Sequence, residues 1–297
     1  MIAPIVRDPA RKPSATTEHP TASVPSARPV PGRNRPYDVV LVCNYSPWSR
    51  YKGGGQKSVH MVASAMAQSG RRVAVVYSKS PWERVDMPDD LPYTVVWAFF
   101  VGVRPGISSP LRFLNGIPFF FKVRSLCGPE TLIIGNGDES SLLGFIRRKG
   151  AFVFASRNTY PDYLYGRDWT RPLTWLRALF REPRDAAVAL ALRGADRVTC
   201  TSGFSREQVL RCFGIPNARI AVIPNGIDPV FLSRKAVGGG TGVLFFGRLT
   251  GNKGARLALE AYLRLPAEAR REHPLLIVGE GPQEGILRKR VRESEAQ

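Results

Sequence analysis

The pattern of apolar and polar positions changes character near residue 36. Residues 1–36 are rich in Pro, Ser, Thr and Arg and show no periodicity. Such a stretch buries too little apolar surface to offset the entropy of ordering, so a disordered tail is expected. From Tyr37 onward, short β-branched runs alternate with helix-period segments. "YDVVLVC" (37–43) predicts a strand, and within 56–69 Val59, Val62, Ala63, Met66 and Ala67 share one helical face, with Gly70 as the stop. "RRVAVVYS" and "YTVVWAFFV" predict two further strands. A Pro118-initiated segment precedes the strand "TLIIG" (131–135), a helix near 139–149 and the strand "AFVFAS" (151–156). A helix over about 172–193 follows, then the strand "DRVTCTS", a helix whose capping box is Ser205 with Gln208, and "RIAVIPNGID".

Strands separated by helices predict parallel βαβ units and a doubly wound α/β sheet. Residues 229–241, ending "VGGGTG", read as a linker, after which the alternation restarts. A strand over 242–247, a helix over 254–265, the strand "PLLIVG" (274–279) and a helix from about 283 are expected. The expected division is therefore a tail (1–36), a complete Rossmann-like unit (37–228), a linker (229–241) and a partial second Rossmann-like unit (242–297).

Composition narrows the function classes. The chain has 297 residues, room for two domains, and its 43% hydrophobic content fits a globular protein. A net charge of +19 favours polyanionic partners: nucleic acid, an anionic membrane face or phosphorylated small molecules. Cys43, Cys127, Cys200 and Cys212 have neither CxxC nor metal-ligand spacing, so reduced thiols in a cytosolic protein and no metal are expected. No signal peptide is evident, and no apolar run approaches the ~20 residues of a membrane-spanning helix. His19, His60 and His273 fall in the tail, on the first helix and before a strand, and none is expected to be catalytic.

The richest segment is "GVLFFGRLTGNKGARLALEAY" (242–262). In open parallel sheets, ligands sit beyond the carboxyl ends of the strands. Arg248 follows such an end, and Gly254 opens a helix whose free N–H groups and dipole favour an anion. Arg248 offers a bidentate fork and Lys253 a movable point charge. Together they suit a diphosphate, or are solvated charges at a turn. No GxxxxGK[ST] occurs, so a Walker P-loop is set aside.

"VIPNGID" (222–228), "VLFFGRLTGNKG" (243–254), "EAY" (260–262) and "LLIVGEGP" (275–282) resemble, in order and spacing, the retaining glycosyltransferase family four, of GT-B fold. "GGGQKSVHMVASAMAQSGRRVAVV" (53–76) and "ADRVTCTSGFSREQVLRCFGIP" (195–216) resemble further segments of it, so the resemblance covers about 37–297. It implies an enzyme that transfers sugar from a nucleotide-sugar donor to an acceptor hydroxyl with retention, in polysaccharide or glycolipid assembly and without a cofactor. Arg248 and Lys253 would be catalytic, binding the donor diphosphate and stabilising the leaving group. Gly54 and Gly55 would admit the donor close to the backbone, and Gly279, Glu280 and Gly281 would lie near the nucleoside. Asn225 and Asp228 belong to a turn motif.

Two departures from the family pattern stand out. Where a histidine is common after the fifth strand, "ASRNTY" offers Arg157 and Asn158. Arg157 cannot act as a base; it can bind donor oxygens or an anionic acceptor, or form a structural ion pair. "GNGDES" (135–140) likewise makes Asn136 and Asp138 acceptor-side candidates. The family's acidic motif, two glutamates separated by seven residues in a later loop and helix, is expected further downstream than Gln297, and no glutamate pair in "GILRKRVRESEAQ" sits in that context, so truncation within the second unit and reduced or absent turnover are expected. "LRFLNGIPFFFKVRSL" (111–126) mixes aromatic and basic residues; it either docks on an anionic membrane and its lipid-linked acceptor or packs its aromatics on the sheet. The expected location is cytoplasmic, free or peripheral at the inner membrane face. A non-catalytic remnant binding a sugar nucleotide or partner is the alternative. A nucleic-acid-binding protein is disfavoured by dispersed basic residues and the lack of a recognised motif.

Overall fold

A computed structural model describes residues 35–49, 53–79, 83–99, 114–147, 150–157, 171–181, 183–227, 232 and 241–295. The chain divides into two compact units, with the division between Asp228 and Pro229. The predicted tail to residue 34, Asn158 and most of the predicted linker lie outside the described residues.

The first unit is built on a parallel sheet of seven strands: β1 (Val39–Cys43), β2 (Val73–Lys79), β3 (Thr94–Phe99), β4 (Leu132–Gly135), β5 (Ala151–Ser156), β6 (Arg197–Cys200) and β7 (Ile220–Val222). Their order is β3-β2-β1-β4-β5-β6-β7. The chain thus builds outward on one side of β1, then crosses back and builds outward on the other. All five residues of β1 are buried, as a strand covered on both faces requires. Its alternate side chains feed two cores. Val39 and Leu41 meet Val59 and Ala63 of α1 (Gly54–Gln68), with Val75 and Tyr77 of β2. Val40 and Val42 join Phe119 and Val123 of α2 (Gly116–Leu126), Phe152 and Phe154 of β5, and Leu192.

Three local expectations need correction. The segment 139–149 is not an α-helix but two short 3-10 turns, Asp138–Ser140 and Leu143–Phe145. A Cβ on Gly144 would stand 2.8 Å from the Gly194 Cα, so this segment runs too close to the next helix to carry side chains all round. The helix expected over 172–193 is two helices, α3 (Pro172–Arg181) and α4 (Pro183–Gly194); Pro183 lacks the N–H that would continue the ladder and takes a first-turn position instead. The cap of α5 (Gly203–Phe213) is Ser202, which accepts a hydrogen bond from the Ser205 N–H at 3.2 Å, while Ser205 and Gln208 are buried within the helix. Gly214, at φ +63°, ends α5 in the left-handed conformation.

In the second unit β8 (Val243–Phe246) pairs in parallel with β9 (Leu275–Val278). Helices α6 (Ala255–Leu263), α7 (Ala267–Glu272) and α8 (Glu284–Glu295) accompany them. Leu249, Leu259, Leu275, Ile277 and Leu287 form a small core. β8 remains largely uncovered, with Leu244 63% and Phe246 80% exposed.

Candidate functional site

In the first unit the strand order reverses between β1 and β4, the place where an open α/β sheet leaves a crevice beyond its carboxyl ends. Residues leaving β1, β4 and β5 meet there. Tyr45 takes a left-handed conformation, φ 56°, and its N–H donates to Ser78 Oγ at 2.9 Å. This turn presents Asn44 to the β4 exit. The Asn44 N–H donates to Glu139 Oε1 at 3.1 Å, and its Nδ2 donates to Asp138 Oδ1 at 3.3 Å. The Asn44 carbonyl accepts from Gln56 Nε2 of α1 at 3.0 Å. One network therefore ties the first turn of α1, with Gly54 and Gly55, to the Asn136–Asp138 segment. Gly54 and Gly55 are exposed, and a Cβ on either would meet nothing within 4 Å. Packing does not require glycine there; close approach of a ligand to the backbone would.

Charge in this crevice is sharply defined. Asp138 and Glu139 are both 1% exposed. Asn136 Nδ2 lies 3.9 Å from Cys43 Sγ. Burial, reinforced by the Glu139 charge, pushes the Cys43 thiol far above its ordinary pKa, so it is neither thiolate nor nucleophile. Arg157 leaves β5 half-buried; burial lowers its pKa, and its Nη1 has no hydrogen-bond partner among the described residues. Gly54, Gly55, Asn136, Asp138 and Arg157 are thus brought to one edge. Asn44, Gln56 and Glu139 were missed by sequence reasoning. For Asn44 the signal was available, because it directly follows the first strand.

His60 sits elsewhere in an aromatic cluster, its Nδ1 2.7 Å from the Tyr93 hydroxyl and its ring edge-on to Trp48. Burial lowers its pKa, helped by Lys57. Among the described residues Cys43, Cys127, Cys200 and Cys212 form no disulfide. Among the described residues no group of three or more His, Cys, Asp or Glu is placed to hold a metal ion.

In the second unit the exits of β8 and β9 lie side by side. The Gly247 N–H donates to the Val278 carbonyl at 3.0 Å, and the Leu249 N–H to the Glu280 carbonyl at 2.8 Å. Gly279 and Gly281 have φ +152° and +156°. A Cβ on Gly279 would collide with the Gly247 carbonyl, and one on Gly281 would stand 2.5 Å from the Leu249 oxygen. These two glycines therefore have a packing reason that the sequence did not reveal. Leu249 is buried and anchors the loop, leaving Arg248 and Glu280 exposed. Gly254, at φ +77°, turns the chain from the 3-10 turn Gly251–Lys253 into α6, whose N-terminus has no side-chain cap. Neither Arg248 nor Lys253 has a side-chain hydrogen bond or ion pair among the described residues. Two exposed cations thus flank an uncapped helix N-terminus, an arrangement suited to a phosphate-bearing ligand.

Known proteins share sequence and fold with this chain. Over 124 residues the chain is 32% identical to glycogen synthase of Mycobacterium tuberculosis (strain CDC 1551 / Oshkosh), a match spanning 40% of this chain and 29% of that protein. Its fold is shared with a glycosyltransferase from Rickettsia africae (TM-score 0.50, 15% identity), covering 88% of this chain and 65% of the other. It is shared also with an α,α-trehalose-phosphate synthase (UDP-forming) from Burkholderia vietnamiensis (TM-score 0.53, 13% identity), covering 88% and 69%. These are glycosyltransferases of the GT-B fold class expected above. Residues 52–231, more than half of the chain, match Glycosyltransferase Family 4, and the chain belongs to that family.

Proposed function

We propose that this protein transfers a sugar from a nucleotide-diphosphate donor to an acceptor hydroxyl, with retention and without a metal, in polysaccharide or glycolipid assembly. The observation that carries the reading is the pair Arg248 and Lys253, exposed and unpaired at the carboxyl end of β8 beside the uncapped N-terminus of α6. They hold the donor diphosphate and neutralise charge that develops as the bond to the anomeric carbon breaks. The acceptor oxygen bonds to that carbon on the same face, and its proton goes to the departing diphosphate. Glu280 stands beside the nucleoside. Asn136 and Asp138 orient the acceptor.

The test is calorimetric titration of the full chain with UDP, GDP and their sugar conjugates, beside an Arg248→Ala, Lys253→Ala double variant. One nucleotide is expected to bind, and the double variant to lose at least about tenfold for each cation removed, ~1.4 kcal/mol apiece. Binding that survives in the double variant overturns the assignment. Nucleotide binding without turnover is a second reading, favoured by the uncovered faces of β8.

The acceptor side has its own surface. On and beside α2, Leu114, Ile117, Phe121 and Phe145 are exposed next to exposed Lys122, Arg124 and Arg147. A groove of about 750 Å³ runs between Phe120, Arg124, Phe145 and Arg147. Apolar side chains ringed by cations fit an anionic membrane surface that carries a lipid-linked acceptor. No helix among the described residues is long and apolar enough to cross a membrane.

A further inference from the structure

We infer that Arg157 reads an anionic group, a phosphate or carboxylate, on the acceptor, so that this protein glycosylates a charged rather than a neutral substrate. The inference rests on the first unit being the acceptor side, as proposed above. Arg157 follows the buried Ser156 at the carboxyl end of β5, in the crevice at the strand-order reversal. Its Nη1 is withdrawn from solvent, yet no acceptor within hydrogen-bond reach is found for it among the described residues. A guanidinium carries N–H donors in a rigid planar fork and keeps its charge under all ordinary conditions. Leaving one donor dry and unmet is costly, and a fold has no reason to bear that cost unless a ligand meets it.

The neighbouring groups do not meet it. Cys43, electrostatically coupled to Arg157, stays a neutral thiol because burial suppresses its ionisation. Glu139 Oε1 accepts from the Asn44 N–H and Asp138 Oδ1 accepts from Asn44 Nδ2. No ion pair joins either carboxylate to Arg157 among the described residues. A planar carboxylate or a phosphate edge would accept from two guanidinium N–H groups at once and displace little.

A phosphate reaching Arg157 has two possible sources, the acceptor or the donor diphosphate, and the experiment separates them. The full chain is titrated with glycerol 3-phosphate, glycerol and UDP. The same titrations use Arg157→Gln, Arg157→Lys and the Arg248→Ala, Lys253→Ala variant, and each protein's melting temperature is recorded. Glycerol 3-phosphate is expected to bind at least tenfold tighter than glycerol. Arg157→Gln abolishes that preference, Arg157→Lys keeps only part of it, and the Arg248, Lys253 variant leaves it intact. The melting temperature of Arg157→Gln should hold or rise, because a dry charge has been removed; a fall of several degrees would mark a structural ion pair and overturn the inference. A preference that survives Arg157→Gln, or vanishes only in the Arg248, Lys253 variant, also overturns it. If UDP fails to bind while glycerol 3-phosphate binds through Arg157, the donor assignment falls and the anion reading stands.

Discussion

Glycines that look alike in the sequence do different work, and single substitutions separate them. Gly279 is required by its fold: it adopts φ +152°, and a Cβ there would strike the Gly247 carbonyl. Gly279→Ala is expected to destabilise the second unit by on the order of 2–4 kcal/mol, read as a lower denaturation midpoint. Gly54 lies in the first turn of α1 with open space where a Cβ would go. Gly54→Ala should leave stability unchanged or raise it by up to about 1 kcal/mol, read as a denaturation midpoint that holds or rises. A lower midpoint would show that this turn needs its glycine. His60 supplies a pH signature. Its folded-state pKa is depressed, first by burial and then by Lys57. The neutral ring is therefore favoured by folding. Its contribution is complete above the unfolded value of about 6.5 and is lost as pH falls from there through the folded pKa. Melting temperatures between pH 7.5 and 5 should drop less steeply in His60→Gln than in the parent. Parallel curves would show that His60 carries none of the acid sensitivity.

Among elements, α2 turns one face to the core and leaves another, apolar and basic, exposed. Phe119 and Val123 are buried in the core while Ile117 and Phe121 face outward beside Lys122 and Arg124. If the outward stripe meets a membrane, vesicles of anionic phospholipid should sediment the protein. Phe121→Ser with Lys122→Glu should cut that binding about tenfold or more, at unchanged melting temperature. Equal sedimentation of the double variant would confine α2 to packing. The same contrast explains what was legible in the sequence. β1 and β2 announced themselves as continuous apolar runs because the sheet is covered on both faces, and α1 by its period because only one face is covered. The 3-10 turns after β4 were hidden, since the cause is the Gly144 approach to Gly194, fifty residues away in sequence. Arg248 and Lys253 stand out in the sequence because they lie five positions apart on one loop. The Asn44 bonds to Asp138 and Glu139 could not be read there, for they join positions 94 and 95 residues apart. Nor does a sequence show that Arg157 Nη1 lacks a hydrogen-bond partner among the described residues; that is a property of the space around it.

For the whole molecule, the two units differ in how much core holds them, and this decides where ligand stabilisation will appear. The first unit has seven strands and two cores, with α1 on one side and α2 and α4 on the other. Among the described residues the second has a two-stranded sheet, a small core around Leu249, Leu259 and Leu287, and largely exposed β8 side chains. Across its helices, Arg290 of α8 donates to Glu260 of α6 at 2.9 and 3.3 Å, but such exposed pairs add little. A sheet of two strands is marginal without a well-covered face. The second unit should therefore unfold first, and amides of β8 and β9 should exchange faster than those of β1 and β2. Calorimetry of the full chain is expected to show two transitions. A nucleotide held by Arg248 and Lys253 stabilises only the unit that carries them. UDP at a hundred times its dissociation constant should raise the lower transition by the equivalent of about 2.7 kcal/mol and leave the upper one in place. Glycerol 3-phosphate bound through Arg157 should do the reverse, moving the upper transition alone. A single cooperative transition would show that the units are thermodynamically one body. An upper transition that moves with UDP would carry the diphosphate site out of the second unit and onto the first turn of α1.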